Sequence, residues 1–369
     1  MTPRIVYLAT ADARGHLMRA QLLVHALRQG GAQVDVLTTS HAGQRFLADF
    51  GIAAGILSHH YAMQFDSRQN ILLRASQRNV VCYMLHPARM LRDILGLARQ
   101  LRGRHLLVND SFHPAALFIG MLPPWRHKVV HVYGGSLREA VLANLDGFKP
   151  ALFGRMFRTL VGRQIDAARA RFEHDFAYGV TDDAGGPDCL LPTPIPVAQA
   201  LPRSTQPGAA IYLNPHFRDT GLADALSAGI ADAGFAAHRV GEGYAGSAGW
   251  LAVDPDWPSR AAHADVIVSA PGMAALSIAL VYRRPILLVL TEQPEQAANA
   301  ERARQLRIRH RTVTWRGEAQ EFRHQVGQAA RELMQAAPAP VSLEAGCKHA
   351  QGRVDAWTGR LLALCARSD

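Results

Sequence analysis

Two stretches of the chain carry groups that could act together on one substrate. The first is Gly15-His16, with Arg19 one helical turn further on. A neutral imidazole at the start of a helix accepts a proton from a hydroxyl or a water nucleophile. Arg19 is placed to pair with a phosphate or a carboxylate. The plain alternative is that His16 caps its own helix. A histidine base works better beside a carboxylate that orients it. Asp110, just ahead of Ser111-Phe112-His113-Pro114, is the candidate, with Asp12 as its rival. Asp110 reads equally well as the N-cap of the helix that follows. The second stretch is 265–300, where an apolar run ending at Ser269 meets Pro271-Gly272 and then a helix of small and apolar residues. A helix N-terminus of this kind offers free backbone N–H groups to an anion. The polar loop Thr291-Glu292-Gln293-Pro294-Glu295-Gln296 adds carboxylate and amide groups. Together they suit a phosphate beside a polyhydroxylated group.

Weaker candidates stand at two further strand ends. Gly134-Gly135-Ser136 follows KVVHV and permits close backbone approach by a ligand, or simply makes a tight turn. Asn214-Pro215-His216-Phe217-Arg218 follows another strand, and His216 and Arg218 there could reach a phosphate. Surface residues of those types usually have no such role.

The elements that hold these residues follow from hydrophobic periodicity. Runs at 5–10, 33–38, 79–85, 105–109 and 128–132 predict buried strands, and the opening strand leads into a helix from about Leu17. Residues 137–172 predict a long helical stretch interrupted at Pro150. Six prolines in 187–208 predict a linker. The rhythm then restarts, with strands at 210–213, 235–240, 250–253, 265–269 and 286–290 and helices at 220–233, 273–282, from 297, at 318–336 and at about 351–366. Strand alternating with helix predicts parallel sheets, with ligand loops beyond the carboxyl ends of the strands. The expected layout is an α/β domain over 1–190, a linker over 191–208, a second domain over 209–345, and a last helix in 346–369 returning to the first.

Composition narrows the function classes. The chain has 369 residues, 49% hydrophobic and 19% charged, ordinary values for a globular α/β protein of two domains. No apolar segment approaches the roughly 20 residues needed to span a bilayer. Cys82, Cys189, Cys347 and Cys365 lack metal-ligand spacing, so a reduced cytoplasm is expected and no metal site. A net charge of +10 favours anionic partners. No nucleic-acid reading motif appears, so nucleic acid is not expected. The stretch 137–172 sets Lys149, Arg155, Arg158, Arg163, Arg169 and Arg171 among Phe148, Leu152, Phe153, Met156, Phe157, Leu160 and Val161. It reads either as a core-facing helix with a solvated arginine face or as a patch that meets an anionic membrane surface from the cytoplasmic side.

The constellation resembles the GT-B glycosyltransferase superfamily, nearest the branches of the lipid-intermediate N-acetylglucosaminyltransferase and the UDP-glucosyl/glucuronosyltransferases. In architecture the resemblance covers nearly the whole chain, while the specific motifs lie in 5–38 and 264–300. It implies two Rossmann-like, doubly wound domains facing across a cleft. It implies that Gly15-His16 lies at the acceptor site with His16 as base, and that Gly272, Met273 and Ala274 turn their N–H groups to the donor diphosphate. Glu295-Gln296 with Asn299-Ala300 resembles the family's acidic residue–Gln–x–x–Asn–Ala segment, which implies that Glu295 and Gln296 grip hydroxyls of the donor sugar. The implied activity is inverting, metal-independent transfer from a nucleotide sugar, a UDP-sugar as first candidate, to the hydroxyl of a small or lipid-linked acceptor. No other cofactor is implied. Three departures stand out. Ile278 occupies the place of a ribose-binding carboxylate, Asn214-Pro215-His216 replaces a Gly-Gly-Ser loop, and the first loop is poor in glycine. The Gly-His-Leu-Met-Arg run also resembles a nucleotide-sugar hydrolase of nonulosonic acid biosynthesis, in which water replaces the acceptor. A sugar-nucleotide-binding module without catalysis is the third reading.

Overall fold

The computed structural model describes residues 2–10, 14–58, 86–110, 112–135, 151–180, 187–202, 205–291, 294–335 and 341–366. The chain divides into two compact units, one containing the first seven strands and the chain from Arg353 on, the other containing Thr193–Gly352.

The first unit is built on a seven-stranded sheet of order β3-β2-β1-β4-β5-β6-β7. Its strands are β1 (Arg4–Ala9), β2 (Gln33–Thr38), β3 (Ala54–Ile56), β4 (Leu106–Asp110), β5 (Val129–Gly134), β6 (Ala170–Asp175) and β7 (Asp188–Pro192), and every pairing is parallel. Parallel strands need helices on both faces. Ile5, Tyr7 and Ala9 face α1 (Arg14–Gln29) and α2 (His41–Asp49) in one apolar cluster. Val6 and Leu8 face α3 (Pro87–Gln100) and α4 (Pro114–Ile119) in another. A further helix, α5 (Ala151–Asp166), contacts α4. The strand order reverses beside β1, whose neighbours are β2 on one side and β4 on the other. The ends of β1 and β4 are therefore the switch point, where an open parallel sheet leaves a crevice for a ligand.

The second unit repeats the plan with six strands in the order β10-β9-β8-β11-β12-β13. They are β8 (Gly208–Leu213), β9 (Ala236–Gly241), β10 (Trp250–Leu251), β11 (Val266–Ser269), β12 (Ile286–Leu290) and β13 (His310–Thr314). The helices of this half are α6 (Thr220–Asp232), α7 (Trp257–His263), α8 (Met273–Val281), α9 (Pro294–Gln305) and α10 (Ala319–Gln335). Its switch point lies between β8 and β11, so the loop after Leu213 and the turn after Ser269 are the ligand-facing ones.

The two-sheet α/β architecture agrees with the sequence reading, and two local differences have physical causes. The stretch 137–172 is not one helical run. Within its described part α5 ends at Asp166, and Ala170–Asp175 is a strand whose Ala170, Phe172 and His174 are buried. The proline-dense stretch from 187 begins with β7, an edge strand, where Pro192 deprives no neighbouring strand of a donor. The last helix, α11 (Leu343–Ala366), belongs to both units, with its first turns in the second and its later turns in the first. Trp357, Leu361 and Cys365 join the β1 core, and Trp357 Nε1 donates to Pro192 O at 2.8 Å. The strand expected at 79–85 lies outside the described residues.

Candidate active site

In the first unit, β1 and β4 pair with Ala9 opposite Asp110, so the carboxylate ending β4 stands beside the exit of β1. Helix α1 starts at Arg14, earlier than periodicity places it, so Gly15 and His16 lie in its first turn. A Cβ on Gly15 would meet nothing within 4 Å, which leaves open space beside His16. Asp110 is fully buried and takes three converging contacts. Tyr7 Oη donates to Oδ2 at 2.9 Å, Arg19 Nε donates to the same oxygen at 2.9 Å, and His16 Nδ1 lies 2.9 Å from Oδ1. Arg19 Nη2 also reaches Oδ1 and makes the ion pair bidentate. Of these groups His16 is the exposed one, at 18% of its side chain.

Asp110 is not the cap of the next helix. His113 Nδ1 fills that role, accepting from Ala115 N at 3.2 Å. Between them Phe112 sits at φ 55°, a left-handed conformation rare for a bulky residue and one that clusters at functional sites. Asp12 lies outside the described residues.

The electrostatics of this network fix its charges. Burial alone would raise the Asp110 carboxyl, but the Arg19 guanidinium and the His16 hydrogen bond outweigh it and hold the group well below the usual carboxylate range. Burial, and then the Asp110 charge, push the Tyr7 phenol far up, so it stays a neutral donor. His174, from β6, meets Arg19 Nη1 through Nε2. Burial and then the Arg19 charge keep its ring neutral. Tyr7 and His174 were not singled out from the sequence. The first looks like any core strand residue, and the second lies at the end of a segment read as helix and linker.

In the second unit the turn after β11 brings Pro271-Gly272 to the start of α8. Gly272 is its N-cap, no side chain among the described residues caps the helix, and Gly272 and Ala274 are exposed, with Met273 partly so. The first N–H groups of α8 therefore face outward with the positive end of the helix dipole behind them. The turn is held from behind. Asn299 Nδ2 donates to Pro271 O at 2.9 Å from α9, and Asn299 is only 7% exposed. Gln296 Oε1 accepts from Thr291 N at 2.7 Å, which closes the loop after β12. Asn299 and the Gln296 carbonyl thus brace the two loops.

No protein-family model matches the chain, and no curated protein matches it. Solved structures do, over its full length. The glycotransferase of kitacinnamycin gives a TM-score of 0.60 at 17% identity, covering 100% of this chain and 99% of that one. Glycosyltransferase VinC, solved in complex with dTDP, gives 0.59 at 15% identity, covering 99% and 100%. The spinosyn rhamnosyltransferase SpnG, solved with thymidine diphosphate, gives 0.57 at 13% identity, covering 99% and 100%. The fold is GT-B.

Within this GT-B fold the remaining candidates fall into place. Ile278 is 2% exposed and packs in the core of the second unit, so its position does not present a side chain to a ligand. The Asn214 loop is folded on itself. Asn214 Oδ1 accepts from His216 N at 3.2 Å and Arg218 Nε donates to Pro215 O at 3.3 Å. Gly135 is packed by protein, since a Cβ there would come 3.3 Å from Glu173 Oε1. Ser136 and the side chain of Glu295 lie outside the described residues. Helix α5 turns Leu152, Met156 and Leu160 to the surface at 67%, 59% and 42% exposure, on a helix that also carries Arg155, Arg158 and Arg163. Among the described residues, no helix is long and apolar enough to cross a membrane.

Proposed function

We propose that the chain is an inverting glycosyltransferase, moving a sugar from a nucleoside diphosphate to an acceptor hydroxyl. The observation that carries this reading is the partly exposed His16 set on the buried Asp110 at 2.9 Å, at the switch point of a GT-B sheet. With its Nδ1–H donating a hydrogen bond to Asp110, the imidazole keeps Nε2 free as the base. The acceptor O–H proton moves to Nε2 as the oxygen attacks the anomeric carbon. The bond from that carbon to the diphosphate oxygen breaks, and the electron pair leaves with the nucleoside diphosphate. Attack from the face opposite the leaving group inverts the carbon.

The donor half of this reading rests on the second unit. The N–H groups of Met273 and Ala274, with Gly272 as their cap, take the diphosphate. Glu295 and Gln296 take sugar hydroxyls, the latter through its amide NH₂, while Asn299 supports the turn. His216 and Arg218 flank the same sheet edge. The helix N-terminus and basic side chains supply the positive charge without a metal, and the Asp-x-Asp of the sequence, Asp254-Pro255-Asp256, is engaged in the protein, with Asp254 accepting from Asp256 N and pairing with His238 and Arg260. A pyrimidine nucleoside diphosphate sugar is the donor class. The earlier resemblance favours uridine, and two of the similar structures hold the thymidine diphosphate.

The acceptor is a hydrophobic or lipid-linked alcohol met at the cytoplasmic face of a membrane. The exposed Leu152, Met156 and Leu160 beside arginines favour an anionic surface. Co-sedimentation with vesicles is expected to rise with their anionic lipid content and to fall with salt. Binding that ignores lipid charge removes this part. The transfer itself is tested by mass spectrometry of donor and acceptor panels, with a glycosylated acceptor as the expected product. Full-rate release of free sugar without an acceptor supports the hydrolase reading instead.

A further inference from the structure

Arg19, read from the sequence as pairing with a phosphate or a carboxylate, is 5% exposed and its guanidinium is turned inward. Its Nε and Nη2 grip Asp110, its Nη1 meets His174 Nε2, and the same Nη2 stands 2.8 Å from His16 Nδ1. The carboxylate that faces His16 is therefore shared with a permanent cation. We propose that Arg19 is a positioning residue that holds Asp110 against His16 and opposes protonation of the His16 ring. This deepens the reading of His16 as the base and rests on it.

The argument is one of geometry and charge. The groups facing His16 are Asp110 from β4 and Arg19 from its own helix, backed by Tyr7 from β1 and His174 from β6. Tyr7 and His174 are buried and neutral, which leaves, among the described residues that make this network, one negative and one positive charge at the imidazole. Asp110 favours the imidazolium, whereas a guanidinium at 2.8 Å from the same nitrogen repels it. Proton placement is contested as well. Nδ1 either donates to Asp110 or accepts from Arg19, and it cannot do both. Donation to Asp110 leaves Nε2 open to a proton from the acceptor. Acceptance from Arg19 puts the proton on Nε2 and blocks it. Arg19 thus tempers Asp110, and the balance between them decides which ring nitrogen of His16 carries the proton.

The test is a ¹⁵N NMR titration of the histidine rings in the wild type and in Arg19→Met, with His16 assigned by comparison with His16→Gln. The His16 midpoint is expected to rise by about one pH unit or more in Arg19→Met, the usual scale for losing a nearby like charge. The acid limb of kcat/KM for transfer is expected to move up with it, while KM for the acceptor changes less than twofold. Arg19→Lys keeps the charge and is expected to shift the midpoint by less than half as much. A purely structural arginine would lower the rate by one factor at every pH and leave the midpoint in place, and that result overturns the proposal. If Arg19→Met does not fold, the neutral Arg19→Gln is read against the wild type, and an unchanged midpoint with an unchanged Nδ1/Nε2 shift pattern overturns it. The titration needs no turnover. If His16→Ala still transfers sugar, the base reading fails, while the midpoint still reports on Arg19.

Discussion

Replacing His16 with alanine is expected to slow sugar transfer by roughly 10²–10⁴-fold, the usual worth of a positioned general base. Nucleotide binding is expected to survive, because the open turn at Gly272–Ala274 is built by the second unit and His16 by the first. The fold should survive as well. His16 is the most exposed member of its network, and its removal leaves Asp110 still bonded to Tyr7 and Arg19. Calorimetry with UDP and dTDP beside steady-state rates separates the two effects. A loss of binding equal to the loss of rate would mean that the substitution had disturbed something other than the base.

Asp110→Asn is expected to cost both rate and stability. An amide of the same shape leaves one oxygen to accept and turns an NH₂ donor towards the other partners, so the preference for a proton on Nδ1 of His16 is lost. The same exchange in a serine-protease triad slows turnover on the order of 10⁴-fold. It also strips the buried Arg19 of its counter-charge, and breaking a buried pair on one side costs about 3–5 kcal/mol. The pH dependence has a definite sign. The folded-state carboxyl titrates below its unfolded value of about 3.9. Its stabilisation is therefore complete above that unfolded value and is lost as pH falls through the lower folded one. Urea unfolding at several pH values is expected to show wild type well above Asp110→Asn at pH 7, with the two converging in acid. Parallel curves across the whole range would show that the ion pair contributes nothing.

Much of this was legible in local sequence because the relevant patterns are local. The β-branched runs of β1, β11 and β12, the Pro271-Gly272 turn and the break at Pro285 each specify their element within ten residues. So the two parallel sheets and the strand ends that carry the candidate groups could be read directly. What escaped depends on contacts distant in the chain. Arg19 and His16 share a helix face by their spacing, but only the pairing of β1 with β4 brings Asp110, ninety-one positions away, between them. An arginine one turn after a candidate base looks like a ligand group until its carboxylate is in place. Strand β6 has the alternation of a half-buried strand, yet it follows a basic, apolar helix with only a three-residue break. Strand β7 ends in proline, which composition assigns to a linker and edge position tolerates. Asn299 and Gln296 were read as ligand groups by resemblance, and the structure adds their bonds to Pro271 and Thr291.

The central claim is that His16 drives transfer to an acceptor hydroxyl with inversion. It is tested most directly by following the anomeric proton in ¹H NMR while wild type and His16→Ala act on a pyrimidine nucleoside diphosphate sugar with an acceptor alcohol. The account predicts a new glycoside of inverted configuration, formed only with acceptor present and nearly absent in the variant. A glycoside of retained configuration, or the same product at the same rate from His16→Ala, would contradict it.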